Sequence, residues 1–188
     1  NYSVMRKNYF RKSVFSILIA LFCVTVSFGQ NRAFNVPFHM GFEDDDINSA
    51  WIINDANADG KTWERIHSDG NLAPCCMKYH YNFAQNADDW LISPEITLED
   101  GKTYVISIAA KQLSATNHES FKIWMGRGSS LGSLTTEVIS VTEGEITKKY
   151  QYFKAPVTIY SSGSYNFGIQ VTSGTDAFEL FVDDFEVY

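Results

Sequence analysis

Apolar residues in this chain return at every second position. Tyr165, Phe167, Ile169 and Val171 fall on one side, with Asn166, Gly168, Gln170 and Thr172 on the other. Residues 102–110 repeat the pattern, Tyr104, Ile106 and Ile108 against Val105, Ser107 and Ala109, and Phe121, Ile123 and Met125 alternate with Lys122, Trp124 and Gly126. A period of two is that of a strand with one buried face, so the chain predicts sheet packed on sheet. Beyond the first 29 residues no stretch carries the spacing of an amphipathic helix.

Further extended segments are expected at 38–42, 51–53, 63–66, 73–81, 89–93, 137–141, 149–155 and 178–187. Pro94 marks a kink or an edge. The Gly- and Ser-rich stretch 126–134 and the Glu143-Gly144 pair read as turns. Short strands punctuated by turns about every ten residues, with almost no helix, predict an all-β fold, an antiparallel jelly-roll β-sandwich. Neither a repeat nor a linker interrupts residues 30–188, which read as one domain.

Residues 1–29 read as a secretory signal peptide. Arg6, Lys7, Arg11 and Lys12 precede an apolar run over 14–28, and small residues at Ser27 and Gly29 suit cleavage after Gly29 or Gln30. The run is shorter than the ~18 to 20 residues of a membrane helix, so no membrane insertion is expected after its removal. Cleavage takes four basic residues from the 15 and no acidic one, leaving 11 against 22. Such an acidic chain is not built for nucleic acid or an anionic membrane, but suits a cation. The two remaining cysteines, Cys75 and Cys76, are adjacent: they form either a strained vicinal disulfide or two thiols at a strand edge, not a fold-stapling framework.

Two acidic features point to a hard cation. Asp55, Asn57 and Asp59 sit at alternate positions before Gly60, so three oxygen-bearing side chains can converge where the glycine turns the backbone, as in a calcium loop. The twelfth position from Asp55 is Ile66, which supplies no carboxylate, so a metal here must borrow ligands from elsewhere. In the last strand, Phe178, Leu180 and Val182 are apolar at even positions, Phe185 and Val187 at odd ones. The parity changes at Asp183-Asp184, where a β-bulge would restore the core face, and a bound cation would neutralise the pair.

The residues argue against catalysis. His39, His67, His80 and His118 lie in no metal-ligand spacing, and Cys76 and His80 on one strand face would stand ~13 Å apart, too far for proton transfer. There is no G-x-S-x-G, and no Glu pair stands on one strand face as a glycosidase would need.

Four motifs in order, Gly41-Phe42-Glu43, the Trp51 to Trp63 pattern W-x-x-x-D-A-x-x-D-G-x-x-W, D-D-W-L-I-S-P at 88–94 and L-F-V-D-D-F-E-V at 180–187, resemble the cleaved adhesin family. These are gingipain-type haemagglutinin and adhesin domains, also described as choice-of-anchor J domains. The resemblance implies a jelly roll similar to galactose-binding-like and MAM-type domains, with structural calcium near the chain ends. Carried over, the ligands are Glu43 and Asp183, with Asp45 and Asp184 as helpers. Asp55, Asn57 and Asp59 match the family's aspartate-rich loop, Asn57 replacing an aspartate. The function implied is that of a secreted or outer-surface, calcium-stabilised adhesin domain engaging host protein or glycan. The alternative is a carbohydrate-binding accessory module of a secreted hydrolase. Trp124, Tyr150 and Tyr152 are candidate contact rings, each with an equally good place in a core. Trp51 and Trp63 are expected to anchor the loop between them.

Overall fold

The computed structural model describes residues 33–188, so the predicted signal segment lies outside the described residues. The chain runs through β1 (Phe38–Met40), β2 (Ile52–Asp55), β3 (Trp63–Ile66), β4 (Cys76–His80), β5 (Asp89–Ile92) and β6 (Ile96–Leu98). It continues through β7 (Thr103–Gln112), β8 (Phe121–Gly126), β9 (Leu134–Val141), β10 (Gln151–Thr158), β11 (Gly163–Val171) and β12 (Glu179–Val187). Two antiparallel sheets result. One has the order β10-β7-β12-β4-β3 with β1 also on β12, the other β2-β5-β11-β8-β9 with β6 also on β11. Helix is confined to two three-residue 3-10 turns among the described residues. This is the jelly-roll sandwich that the alternation predicts.

The inward faces are those expected. Tyr104, Ile106 and Ile108 of β7, Phe121 and Ile123 of β8, and Phe167, Ile169 and Val171 of β11 join one core. Both tryptophans flanking the acidic loop enter it: Trp51 packs edge-on against Phe42 and Phe185 at 5.2 and 5.4 Å, and Trp63 against Tyr79 at 6.0 Å. A satellite cluster of Trp90, Ile92 and Leu134, joined by Trp124 and Leu131, lies apart from this core. Gly168 makes it possible, because a Cβ there would stand 2.5 Å from Leu134 Cδ1 and 2.9 Å from Trp90 Cε3.

β6 was not anticipated: three residues after Pro94 are too few to show a period, and pairing with β11 makes the strand. The parity change in β12 is a bulge. Asp183 pairs with Ala109 and Glu186 with Ser107 of β7, with the register shifting between them, and Asp184 has φ 45°. Val182 and Phe185 both stay in the core across the irregularity, as the sequence pattern required. β1 lies along β12, Met40 opposite Phe185, which brings the first and last strands side by side.

Candidate functional site

Behind β1 the chain turns sharply. Phe42 takes φ 60°, and Asp46 Oδ2 accepts hydrogen bonds from the backbone N–H groups of Gly41 (3.1 Å) and Glu43 (2.9 Å). The turn aims Glu43 at the loop between β3 and β4, where its Oε1 accepts from Cys75 N at 3.1 Å. That loop is clamped by the bulged carboxylates. Asp183 Oδ2 accepts from Asn71 N at 2.7 Å, and Asp184 Oδ2 accepts from Asn71 Nδ2 at 2.8 Å and from the Tyr152 hydroxyl at 3.0 Å. His39 Nε2 stands 3.5 Å from Asp184 Oδ1.

Three of the four predicted terminal residues, Glu43, Asp183 and Asp184, are thus gathered on one short loop. Burial pushes Asp183 up to about 7, and the negative charges of Asp184 and Glu43 press in the same direction against the two backbone N–H groups that favour ionisation. A hard cation suits such a group chemically, because its charge would relieve both burdens. Asp45 is not gathered in. It is exposed and lines a shallow depression with Phe38, His39 and Ile47.

The acidic loop after β2 is a separate arrangement. Asp55, Asn57 and Asp59 are half-buried while Ala56, Ala58 and Gly60 between them are exposed. Backbone donors shape the loop: Asp55 accepts from Asp59 N (3.2 Å) and Gly60 N (2.9 Å), and Asp59 Oδ1 from Lys61 N (2.7 Å). Ala58 and Gly60 take φ 55° and 76°. Asn57 Nδ2 ties the loop to Asn86 O at 2.8 Å.

Beneath this loop lies a residue the motif reading did not single out. Asp89 pairs with Asp55 across β5 and β2, so the two side chains share a face. It is 0% exposed, and neither carboxylate oxygen has a hydrogen-bond partner. Thr62 Oγ1 is also buried without a partner. Burial pushes Asp89 up to about 7. The nearby Thr62 hydroxyl favours ionisation without reaching hydrogen-bond geometry, and Asp55 and Asp59 oppose it. Asp89 was visible in sequence as a charge in phase with core residue Leu91, inside the otherwise apolar D-W-L-I.

A third cluster is already filled. Asp44, His67 and Cys75 bring ligand atoms within 4.8 Å of one another, but Arg65 Nη2 donates to Asp44 Oδ1 at 2.5 Å and to Cys75 Sγ at 3.3 Å. The guanidinium takes the place a cation would need. Cys75 and Cys76 are both free, and burial pushes the Cys76 thiol up to about 11. Of the three candidate rings only Tyr152 is exposed, at 45%. Trp124 packs in the satellite cluster, and Tyr150 is half-buried with its hydroxyl donating to Asp69 O. Tyr188, 46% exposed, joins Tyr152 on one surface, the Lys154 ammonium lying 5.1 Å from the Tyr152 ring and 5.7 Å from that of Tyr188.

Comparison with known proteins agrees with the motifs. A family model described as the Cleaved Adhesin Domain matches residues 36–159. Among solved structures, the K1 cleaved adhesin domain of Lys-gingipain from Porphyromonas gingivalis W83 superposes with a TM-score of 0.66 at 16% identity, covering 81% of this chain and 97% of that one. The K3 domain of the same protein gives 0.65 at 18%, covering 80% and 96%. The CBM22-1 xylan-binding domain of Paenibacillus barcinonensis Xyn10C gives 0.56 at 13%, covering 83% and 95%. At these identities the superpositions speak for the fold. No curated protein sequence matches the chain.

Proposed function

This chain belongs to the cleaved adhesin domain family, and from that membership we propose that it is a calcium-stabilised recognition domain, secreted or held at the outer cell surface, that engages an extracellular protein or glycan. The coarse function, adhesion or binding, follows from the family. Among the described residues no helix is long and apolar enough to cross a membrane. The observation that carries the finer reading is the β3–β4 loop. Three carboxylates, Glu43, Asp183 and Asp184, hold it against the sheet, while its Leu72 stands 81% exposed. An apolar tip on an anchored loop is a contact site prepared before the partner arrives, so little ordering cost falls on binding. Calcium on the same carboxylates would stiffen that anchor, supplying charge neutralisation rather than chemistry.

A second reading, a glycan-binding accessory module, has one observation of its own: the exposed Tyr152 and Tyr188 rings on either side of Lys154. Paired rings with a cation between them suit the apolar face and hydroxyls of a sugar. The CBM22-1 neighbour is described as xylan-binding, which makes xylan a first probe.

A panel of immobilised matrix proteins beside a glycan array, probed with the wild type, Leu72→Ser and Tyr152→Ala, separates the two. Protein capture lost in Leu72→Ser supports the leading reading. Binding that is inhibited by free sugar and lost only in Tyr152→Ala supports the second. Wild-type-like binding to the same partner by both variants contradicts both.

A further inference from the structure

We propose that the free edge of β2 docks an extended segment of a partner protein, one whose apolar residues are flanked by basic ones, and that the segment binds by adding a strand to the sheet. The proposal rests on the reading of this domain as a protein-recognition module, but it uses a surface other than the Leu72 loop. β2 ends its sheet and, among the described residues, pairs on one side alone, with β5. Ala56 N donates to Asp88 O in continuation of that ladder, and hydrogen-bonded pairs alternate along antiparallel strands. Ile52 and Asn54 therefore bond to β5, while Ile53 and Asp55 turn their N–H and C=O groups towards the open edge.

Sheet edges in folded chains are guarded by a charge, a proline, a bulge or sheer brevity. The other edges among the described residues follow this rule. β3 carries Glu64 and Arg65, β10 carries Lys154 and Pro156, β9 carries Glu137 and an irregular register against β8, and β1 and β6 are three residues each. β2 has no such guard over Ile52, Ile53 and Asn54, and its register is regular. Ile52 and Ile53 point to opposite faces and are both exposed, although their partners Ile92 and Leu91 are buried. Two β-branched side chains on an open edge offer apolar contact to both faces of an incoming strand, while the backbone of Ile53 supplies its hydrogen bonds. Charge selects that strand. An acidic run, Glu43 to Asp46, is set beside the start of β2 by the packing of Phe42 on Trp51, and only its Asp44 is taken by Arg65. Asp55 and Asp59 close the other end. A second copy of this chain would bring acidic ends together whether it paired parallel or antiparallel. A segment with basic residues on either side of its apolar centre meets opposite charge at both ends.

The test titrates a fluorescein-labelled nine-residue peptide, alternating valine and threonine with two arginines at each end, at low salt and reads fluorescence anisotropy. One control peptide has its five central amides N-methylated, and another has glutamates in place of the arginines. The proteins are the wild type, Leu72→Ser, Ile53→Lys and Ile53→Pro. A proline on an edge removes only the N–H that faces away from β5, and melting curves verify that both Ile53 variants fold. Saturable binding of the basic peptide is expected for the wild type and for Leu72→Ser. Affinity should be weaker by about tenfold or more for both Ile53 variants and for both control peptides. No saturable binding by the wild type overturns the proposal. So does equal affinity for either control peptide, or unchanged affinity in both Ile53 variants. Wild-type dimers in sedimentation that Ile53→Lys dissolves would make a second copy the occupant, and overturn it as well. The peptide assay needs no natural partner, so its failure strikes the edge alone, whereas a matrix-protein panel without capture strikes the broader reading.

Discussion

Glu119 shows how much a single buried carboxylate weighs in this fold. It is 0% exposed, with Oε1 unpartnered and Oε2 accepting the Ser173 hydroxyl. Burial, aided by the charges of Glu179 and Glu143, pushes it up to about 7 against the bond from Ser173. Its unfolded value is near 4.3. Between those values the folded chain holds a proton that the unfolded chain releases. Stability is therefore full below the unfolded pKa, falls as pH rises towards about 7, and levels off above it. The loss amounts to about 4 kcal/mol at most for this group. Asp89 and Asp183 act in the same direction, so the informative quantity is a difference. Denaturant unfolding in chelator from pH 4.5 to 7.5 should fall more steeply for the wild type than for Glu119→Gln; parallel curves would contradict the assignment. Gly126 is the opposite kind of constraint. A Cβ there would meet Ser133 O at 1.8 Å and Leu134 Cα at 2.9 Å, both backbone. Gly126→Ala is expected to cost about 2–3 kcal/mol by forcing β9 from β8, measured by the same unfolding experiment.

At the scale of elements, the strands with a long period were legible and the loops only half so. β11 and β7 could be read from alternation because each has one face wholly in the core, and the bulge in β12 because its core residues change parity across two aspartates. β6 could not be read, since three residues define no period. Nor could the contents of the two acidic sites be completed from spacing. Asn71, which engages both Asp183 and Asp184, lies 112 and 113 positions before them, and Asp89 meets Asp55 only through strand register. Trp124 turned out to be packed because Gly168 opens a hollow beside it, a condition that depends on three strands at once. The β3–β4 loop carries its own prediction. Asn71→Ala keeps the backbone bond to Asp183 but removes the side-chain bonds to Asp184 and Tyr152, leaving a buried carboxylate short of a donor. The cost should be about 1–2 kcal/mol, and limited proteolysis should cut within 67–75 faster than in the wild type. Unchanged cleavage there would show that the clamp does not hold the loop.

For the whole molecule, the two sheets share one core, and neither acidic site makes a layer of its own. Both sit where chain-distant segments meet: the first and last strands with the β3–β4 loop at one, and β2 with β5 at the other. An ion at either would tie such segments together in the folded state alone, so calcium bound there would act on the global equilibrium rather than on a local loop. On the proposed function, recognition would rest on the exposed Leu72 of the clamped loop and the exposed Tyr152 and Tyr188 rings. The most direct test is a thermal melt of the wild type in chelator and in calcium at about a hundredfold excess over its dissociation constant. Binding to the folded state contributes ~2.7 kcal/mol under that condition, and for a domain of this size the midpoint should rise by about 5–10 °C. Superimposable melts in chelator and in millimolar calcium would contradict the account.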